Sequence, residues 1–403
     1  MAKQPLKKKE IGVKSSLSAF KAKMGLGDKD EVKLETSNAD KPLDWIIMPK
    51  AYQDALKLPG IPISYVTTVI GHSNTGKSTL VNHAIVSAQR KGLIPVIYDT
   101  ENNFDWTYAI NMGMEAEPVY GDVEVEKVDP ETGEISIVIE RQIVRYDGNF
   151  IYFNNNILAE LYGKMDYSTG KENKTTKRKV AVIEDIAASI NELLNAQDNG
   201  EIDSGFLFIW DSVGSIGSFK SYKSLIGNNM FDAGAISVAF NSIINDRIPR
   251  SRKQSSAYSN TLLLINKVWL DSMSSPVGPP SLSLKGGNSI YYGSRLIILT
   301  GGQLKSSTKR ISAQSKGVNF NFALETKMKC MKNQLPAPYT VTYEGTVVCT
   351  PHGMIGTDEI DKYKKDKISS ILSQLSEISK QNGKEETFSE DDVNFVVEET
   401  DEV

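Results

Sequence analysis

The chain has 403 residues, of which 40 % are hydrophobic and 24 % are charged, and its formal net charge at pH 7 is −4. This composition indicates a soluble protein with one large domain carrying insertions, or with two smaller domains. No apolar run approaches the roughly 18 residues of a membrane span, and the N-terminus lacks the apolar region of a secretory signal. Because the only cysteines are Cys330 and Cys349, we expect no disulfide and a reducing, cytoplasmic location.

The two ends of the chain carry opposite charge. Nine lysines lie within residues 1–33, whereas residues 385–403 contain nine acidic residues and no lysine or arginine. Two interpretations remain open for these segments. They are solvated tails, or the acidic tail competes with a phosphate backbone for a basic groove and so regulates binding.

The first predicted strand, residues 65–70, is followed by a segment that fits the phosphate-loop consensus G-x-x-x-x-G-K-[ST] and then by a helical pattern over residues 80–89. In such a loop the backbone N–H groups surround the β- and γ-phosphates, the lysine supplies a positive charge, and the serine hydroxyl completes a Mg²⁺ shell. This Walker A segment therefore predicts a site for a nucleoside triphosphate and Mg²⁺. Its predicted binding residues are Gly71, Ser73, Asn74, Thr75, Gly76, Lys77, Ser78 and Thr79.

Four more apolar runs predict strands, and polar residues follow three of them. The runs cover residues 93–98, 206–210, 261–266 and 295–300. Glu101 follows the first, Asp211 follows the second in the position of a Walker B acid that holds Mg²⁺ through water, and Lys267 follows the third. Alternation of strands with helices predicts a mainly parallel sheet with helices on both faces. Ligands of such sheets bind beyond the carboxyl ends of the strands, where these polar residues gather.

The chain between the second and third strands is longer than one crossover requires. Residues 123–146 alternate apolar and polar side chains around a turn sequence at 129–133, which predicts a β-hairpin inserted at about 119–148. A second insertion, residues 163–179, is polar and is either solvated surface or an arm that contacts phosphates. Its cations are Lys171, Lys174, Lys177, Arg178 and Lys179. Further along, residues 319–331 and 339–349 predict antiparallel strands, and residues 360–380 predict one amphipathic helix.

Two loops are candidates for contacts gated by the nucleotide. Residues 216–232 and 270–288 are long, rich in Gly, Ser, Pro and Asn, and follow strands that end at the predicted nucleotide site. Their lysines and backbone amides can bind phosphates, and their apolar tips can insert between bases. For Met230 and Phe231, packing in the core remains an equal alternative to base contact. The candidate DNA-binding residues are Lys220, Lys223, Met230, Phe231, Lys285, Gly286, Gly287 and Asn288.

From about residue 63 to 343, the order of these elements resembles the RecA family of DNA strand-exchange recombinases. Residues 96–101 resemble the family's strand that ends in a catalytic glutamate, and residues 208–213 resemble its Walker B strand. Residues 228–244 resemble its first DNA loop and the helix after it, residues 285–291 resemble the end of its second DNA loop, and residues 260–266 resemble its sensor strand. Residues 332–339 are similar to the segment whose lysines reach the nucleotide of the neighbouring protomer.

The resemblance implies an α/β fold with a RecA-like P-loop ATPase core, and a DNA-dependent ATPase that cleaves the phosphoric anhydride of ATP. Glu101 would activate the attacking water, Lys77 and Mg²⁺ held by Ser78 and Asp211 would stabilise charge, and Lys332 would act on the nucleotide of a neighbouring protomer. Lys267 stands where the cellular family has Gln, which implies that a positive charge rather than an amide contacts the γ-phosphate. Gln334 stands where the family has the second of its two interface lysines. With the insertions, these departures favour a divergent, phage-type member.

The function implied is an ATP-dependent recombinase that polymerises as a helical filament on single-stranded DNA and pairs it with homologous double-stranded DNA in recombination and repair. It would act in the cytoplasm of a bacterial or phage-infected cell, with single-strand-binding or loader proteins as further partners and without a membrane. Two alternatives are a hexameric replicative helicase of the same fold and a non-enzymatic mediator that binds ATP and DNA. The predicted parts are a lysine-rich segment that contacts another protomer (1–45), the ATPase core (46–350), a C-terminal helix (351–384) and a disordered acidic tail (385–403).

Overall fold

A computed structural model describes most of the chain. The described residues are 39–128, 133, 135–173, 175–224, 229–271, 281–284, 287–302, 307–384 and 386–399.

Among these residues the strands and helices follow the alternation that the sequence predicts, with additional strands in both halves of the chain. The strands are β1 (Trp45–Ile47), β2 (Gly60–Pro62), β3 (Val66–Gly71), β4 (Ile94–Asp99), β5 (Glu117–Val128), β6 (Ile135–Asp147), β7 (Ile151–Asn154), β8 (Met165–Asp166), β9 (Lys171–Glu172), β10 (Phe206–Asp211), β11 (Thr261–Asp271), β12 (Ser281–Leu284), β13 (Leu296–Thr300), β14 (Thr308–Ser315), β15 (Val318–Asn333), β16 (Glu344–Thr350), β17 (Gly353–Ile355) and β18 (Asn394–Glu399). The α-helices are α1 (Lys50–Leu56), α2 (Lys77–Arg90), α3 (Trp106–Asn111), α4 (Asn155–Tyr162), α5 (Ile183–Asp198), α6 (Phe219–Ser224), α7 (Asn229–Ala239), α8 (Ile248–Arg250), α9 (Gly287–Gly293), α10 (Ile360–Asp366) and α11 (Ile368–Gln381). A π-helical segment, Ile243–Arg247, precedes α8, and short 3₁₀ turns cover Thr357–Glu359 and Glu390–Asp392.

The central sheet is parallel in its middle and antiparallel at one side. Strands β13, β3, β11, β10, β4 and β7 lie side by side in that order and pair in parallel. Beyond β13, antiparallel pairing adds β15, β16 and β17, and β14 pairs with β15. The predicted α/β fold with a parallel central sheet is confirmed. Its parallel strands end at the edge where the phosphate loop lies.

Both faces of the parallel sheet are covered, which explains why most positions of its strands are apolar. On β10, Leu207 and Ile209 belong to one buried cluster with Leu80 of α2. Phe208 belongs to the opposite cluster with Ile190 of α5. Because side chains alternate along a strand, a strand buried on both faces has apolar residues at nearly every position.

The predicted hairpin insertion is present as β5 and β6, which pair from Glu117↔Asp147 to Val128↔Ile135. Much of its surface is open to solvent, and Ile135, Ile137 and Ile139 of β6 are each about two-thirds exposed. Pairing across β5 and β6 is therefore what holds this insertion together.

The prediction of one helix over residues 360–380 is wrong, because two helices cover this segment. Lys367 has φ −112° and ψ 11°, so the helix stops there and restarts as α11. The break lets Tyr363 stack on Phe322 while Ile371 and Leu375 reach the same small core from α11.

The prediction of disorder in the acidic tail is wrong for residues 394–399. These form β18, which pairs antiparallel with the edge strand β14. Phe395 packs edge-on against Phe322 with ring centroids 5.6 Å apart, and Glu398 and Glu399 stand opposite Arg310 and Lys309. Apolar packing and opposite cross-strand charges explain why an acidic segment adds to the sheet.

No helix among the described residues is long and apolar enough to cross a bilayer.

Candidate functional site

The phosphate loop joins the end of β3 to the start of α2. Gly76 precedes the helix with a left-handed φ of 89°. A Cβ atom at this position would lie 2.7 Å from Cys349 Sγ of β16. Both the backbone angle and the close approach of β16 therefore require glycine here.

Lys77 is turned back toward its own loop. Its Nζ donates to the carbonyl oxygen of Gly71 at 3.1 Å and also to that of His72. Burial lowers the pKa of Lys77 to about 8, although the carboxylates of Asp211 and Glu101 oppose the shift. A phosphate oxygen is a stronger acceptor than these carbonyls, so this ammonium is suited to bind one.

A cleft of about 710 Å³ extends from the phosphate loop toward β15 and β16. Asp105 and Tyr108 of the α3 region line it, and so does Arg310 of β14. Tyr108 is fixed at this place because its hydroxyl donates to the Thr350 carbonyl at 3.0 Å and shares a 2.7 Å hydrogen bond with Thr79. The cleft is large enough for the base and sugar of a nucleotide.

Sequence reasoning missed these cleft residues. The position of Asp105 could have been inferred from the sequence, because Asp is a common N-cap residue. Its carboxylate caps α3 by accepting a hydrogen bond from the Tyr108 N–H at 2.8 Å. Arg310 carries no such signal in the sequence, because β14 reaches the cleft only through its pairing with β15.

Glu101 lies at the end of β4 in a network of donors. Lys267 Nζ is 2.8 Å from Oε1 and 2.9 Å from Oε2, Ser212 Oγ donates to Oε1, and Asn103 Nδ2 donates to Oε2 at 3.2 Å. Burial alone would raise the pKa of Glu101, but the hydrogen bonds from Lys267 and Ser212 outweigh it, so the pKa is lowered. The carboxylate is therefore ionised at neutral pH and can accept a proton from water.

Asp211 ends the neighbouring strand β10 and is more deeply buried. Burial raises its pKa to about 7, and the nearby Glu101 carboxylate adds to the rise. Asp211 and Ser78 line one cavity of about 240 Å³. A hydroxyl and a carboxylate are oxygen ligands that Mg²⁺ accepts, and a divalent cation would offset the cost of burying this charge. The two residues fit a Mg²⁺ site.

Lys332 lies away from the cleft of its own chain. On β13, Ile297 is opposite Lys332 and also opposite Thr68, whereas Thr300 is opposite Gly71 of the phosphate loop. Lys332 therefore lies toward the other end of the strands, where its Nζ donates to the Tyr291 carbonyl at 2.6 Å. If it acts on a nucleotide, that nucleotide belongs to another copy of the chain.

Close to Lys332, Arg295 extends a guanidinium nitrogen to Gln334 Oε1 at 3.4 Å. Burial lowers the pKa of Lys332, and the charge of Arg295 adds to the effect. Arg295 thus places a second positive charge beside Gln334, which stands where the RecA resemblance would have a second lysine.

The candidate DNA residues are distributed over α6, α7 and the start of α9. Lys220 and Lys223 lie on α6, and Lys223 is engaged by Asp166 at 2.9 Å. The backbones of Met230 and Phe231 are helical within α7, and those of Gly287 and Asn288 begin α9. Lys285 and Gly286 lie outside the described residues. The roles assigned to all eight residues stay predictions.

The insertion over residues 163–179 is anchored to the core, and Arg178 is its buried part. Its guanidinium binds Asp185 with distances of 2.7 and 3.0 Å, and both side chains are nearly inaccessible to solvent. Lys177 pairs with Glu160 on the surface. Arg178 is therefore a structural residue, and the expectation that this cation lies on a solvated surface or contacts phosphates is wrong.

Comparison with known proteins gives one family match and several relatives, each over part of the chain. The RecA N-terminal domain matches residues 16–165. Protein RecA of Chlorobaculum tepidum is 35 % identical over 117 residues, which are 28 % of this chain and 32 % of that protein. Protein RecA of Porphyromonas gingivalis is 33 % identical over 116 residues, with the same shares of the two chains. Protein RecA of Prochlorococcus marinus is 31 % identical over 119 residues, which are 28 % of this chain and 30 % of that protein.

The matched stretch thus spans about a third of the length of these relatives. The RecA N-terminal domain match, residues 16–165, contains the phosphate loop and Glu101, and the parallel sheet continues beyond it through β10, β11 and β13. Over this part of its length the chain is similar to the RecA family.

Proposed function

We propose that this protein is an ATP-dependent recombinase that polymerises on single-stranded DNA and promotes pairing with homologous double-stranded DNA. The observation that carries the proposal is the convergence of Lys77, Lys267, Asp211 and Glu101 at the carboxyl edge of four adjacent strands, which are β3, β11, β10 and β4 in that order. A regulator that only binds nucleotide would not need the base, the charge and the metal ligands together.

In the proposed reaction, the loop amides and Lys77 hold the β- and γ-phosphates of ATP. Mg²⁺ held by Ser78 and Asp211 would supply charge neutralisation on these phosphates. Glu101, kept ionised by Lys267 and Ser212, orients the attacking water and accepts its proton. Asp105 and Tyr108 are suited to contact the base or sugar, because both line the cleft next to the loop.

The assembly part of the proposal rests on Lys332 and Arg295. Both cations lie at the opposite end of the sheet strands from the phosphate loop, so they would complete the site of a neighbouring copy. Placing them at the γ-phosphate of a neighbour would stabilise charge that develops during hydrolysis. Each nucleotide would then bridge two protomers, which is how ATP would favour a polymer.

The DNA part of the proposal rests on the elements that follow β10 and β11. Helix α6, with Lys220 and Lys223, comes shortly after Asp211, and β11 carries Lys267 into its hairpin with β12. The first segment follows Asp211 and the second follows Lys267, and both residues belong to the proposed nucleotide site. Binding of ATP would therefore change the position of both candidate DNA loops.

Electron microscopy of the purified protein with long single-stranded DNA and a slowly hydrolysed ATP analogue tests this function. Continuous helical filaments are expected. Closed rings threaded by DNA would instead favour the replicative helicase, and DNA left bare would favour a mediator. A strand-exchange assay with homologous duplex then separates a recombinase from a protein that only coats the strand.

A further inference from the structure

The insertion over residues 163–179 contacts the helix that carries both candidate DNA lysines of the first loop. Lys223 Nζ of α6 lies 2.9 Å from Asp166 Oδ2 and donates to Ser168 Oγ at 3.1 Å. The same ammonium lies 4.6 Å from the centroid of the Phe219 ring. One carboxylate of the insertion thus binds a lysine that the proposed function assigns to DNA.

The insertion is held rigidly enough to present that carboxylate. Its end is fixed by the buried Arg178–Asp185 pair, in which Arg178 also donates to the carbonyl oxygens of Tyr162 and Val180 at 3.0 and 2.8 Å. Tyr167 follows Asp166 directly and donates its hydroxyl to Asp185 Oδ1 at 2.8 Å. Asp166 is therefore attached to a fixed point of the core.

Helix α6 is fixed against the same surface. Tyr167 packs edge-on against Phe219 with ring centroids 5.6 Å apart, and the Phe219 N–H donates to Glu184 Oε2 of α5 at 2.9 Å. The side chains of Lys223 and Asp166 nevertheless remain 47 % and 23 % exposed, so an incoming phosphate can reach the lysine. Since exposed ion pairs contribute little free energy, this contact can be exchanged.

We propose that Asp166 competes with the phosphate groups of a bound polyanion for Lys223, so that the insertion lowers the affinity of the first loop for single-stranded DNA. The inference rests on the proposed function for the identity of the polyanion. A carboxylate and a phosphate oxygen are alternative acceptors for the same ammonium, and only one can occupy it at a time. The DNA strand must therefore displace Asp166 before Lys223 contributes a phosphate contact.

The test measures binding of fluorescent single-stranded DNA to the full chain, with a slowly hydrolysed ATP analogue, over a series of salt concentrations. Asp166→Asn should tighten binding about two- to fivefold at low salt, the range expected for loss of an exposed ion pair. It should also steepen the dependence of log Kd on log salt by up to about 0.7, the value of one added phosphate contact. Asp166→Glu should stay close to the unmodified protein.

Two further variants separate the contact from general charge effects. Asp147→Asn removes an exposed carboxylate paired with Arg145 on the hairpin and changes the net charge by the same amount. It should leave binding nearly unchanged. In a Lys223→Gln background, Asp166→Asn should give no gain, because the lysine through which it acts is gone.

An Asp166→Asn variant that binds no tighter than Asp147→Asn would overturn the inference, as would a gain that persists without Lys223. Weaker binding by Asp166→Asn would also overturn it, since the insertion would then position Lys223 for DNA. Inorganic polyphosphate serves as a second probe. If the unmodified chain binds no DNA but Asp166→Asn tightens polyphosphate binding through Lys223, the recombinase proposal fails and the competition stands. If Asp166→Asn binds neither single-stranded DNA nor polyphosphate more tightly than the unmodified chain does, the inference fails.

Discussion

Lys267 Nζ lies 2.8 Å from Glu101 Oε1, so the residue on β11 is bonded to the carboxylate that follows β4. Strand β10, with Asp211 at its end, lies between these two strands in the sheet. The Lys267–Glu101 ion pair therefore connects the two strands on either side of the strand that ends at Asp211, the candidate Mg²⁺ ligand. Because β11 continues into its hairpin with β12, the contact also connects the proposed base to the second candidate DNA segment.

Replacing Lys267 by Gln should weaken ATP hydrolysis and should also change the ionisation of Glu101. Lys267 helps to lower the pKa of this carboxyl below its ordinary value. Without the ammonium the pKa should rise, so the acidic limb of the rate–pH profile should move to higher pH. The loss of a positive charge beside the γ-phosphate should lower kcat at neutral pH about 10- to 100-fold. Phosphate release measures both the rate and its pH profile.

Lys253→Gln provides the control for this prediction, since Lys253 precedes β11 and forms a surface pair with Asp40, whereas Lys267 lies opposite Gly71 of the phosphate loop. Its rate–pH profile should match that of the unmodified protein. A Lys267→Gln profile that is lower at every pH but not displaced would contradict the role of Lys267 in setting the ionisation of Glu101.

Replacing Glu101 by Gln should separate nucleotide binding from hydrolysis. The amide keeps the size of the side chain but accepts no proton, so turnover should fall about 10²- to 10⁴-fold, as for loss of a general base. Binding of a fluorescent ATP analogue should remain. Unchanged turnover would mean that another group activates the water. Absence of ATP turnover in the unmodified protein would favour the non-enzymatic mediator.

The parts of the fold encoded in short segments were predictable. Residues 65–79 contain a strand, a glycine-bearing loop and a lysine at fixed spacing, and the structure has β3, the turn at Gly76 and α2 there. The strand that ends at Asp211 was equally clear, because every position from Phe206 to Trp210 is apolar. In both cases the local pattern alone requires burial on two faces of a sheet.

The parts that depend on distant pairing were not predictable. Arg310 lines the cleft only because β14 and β15 pair, and β18 forms only because β14 offers a free edge. Arg178 looked like one cation of a polar loop, and its burial depends on Asp185 at the start of α5. Charge density in a short segment indicates solvation on average, but it cannot reveal a partner supplied by another element.

Replacing Gly76 by Ala should damage the phosphate loop more than the same change at another left-handed glycine. At Gly76 the φ angle is 89° and the new Cβ would lie 2.7 Å from Cys349 Sγ. Gly92, with φ 79°, has no neighbour within 4 Å of its would-be Cβ and is the matched control. Gly92→Ala should cost about 1 kcal/mol from the backbone alone.

The clash at Gly76 adds to this backbone cost, and it should displace the loop that surrounds the phosphates. We expect Gly76→Ala to weaken binding of a fluorescent ATP analogue by about tenfold or more, because misplacing the donors costs several hydrogen bonds. Gly92→Ala should bind as the unmodified protein does. Equal affinities of Gly76→Ala and Gly92→Ala for the ATP analogue would show that β16 moves to make room for the new methyl group.

His83 should make the fold sensitive to acid. Its Nε2 accepts the Met354 N–H at 2.8 Å, and burial, with a smaller effect of Arg90, lowers its pKa from 6.5 to about 4. As the pH falls below 6.5, the unfolded chain binds a proton at this residue before the folded chain does. The stabilisation is therefore complete above pH 6.5 and is lost progressively toward pH 4, by up to about 3 kcal/mol.

Urea unfolding at several pH values between 7.5 and 4 measures this loss. His83→Gln keeps an acceptor for the Met354 N–H but no titrating group, so its free energy of unfolding should fall less over this range than that of the unmodified protein. His352→Gln serves as the control, because His352 is partly exposed and hydrogen-bonds through Nδ1 to the Tyr363 hydroxyl at 2.8 Å. Suppose instead that the free energy of unfolding changes equally with pH in His83→Gln and in the unmodified protein. His83 would then be protonated equally in the folded and unfolded states, and its burial would not explain sensitivity to acid.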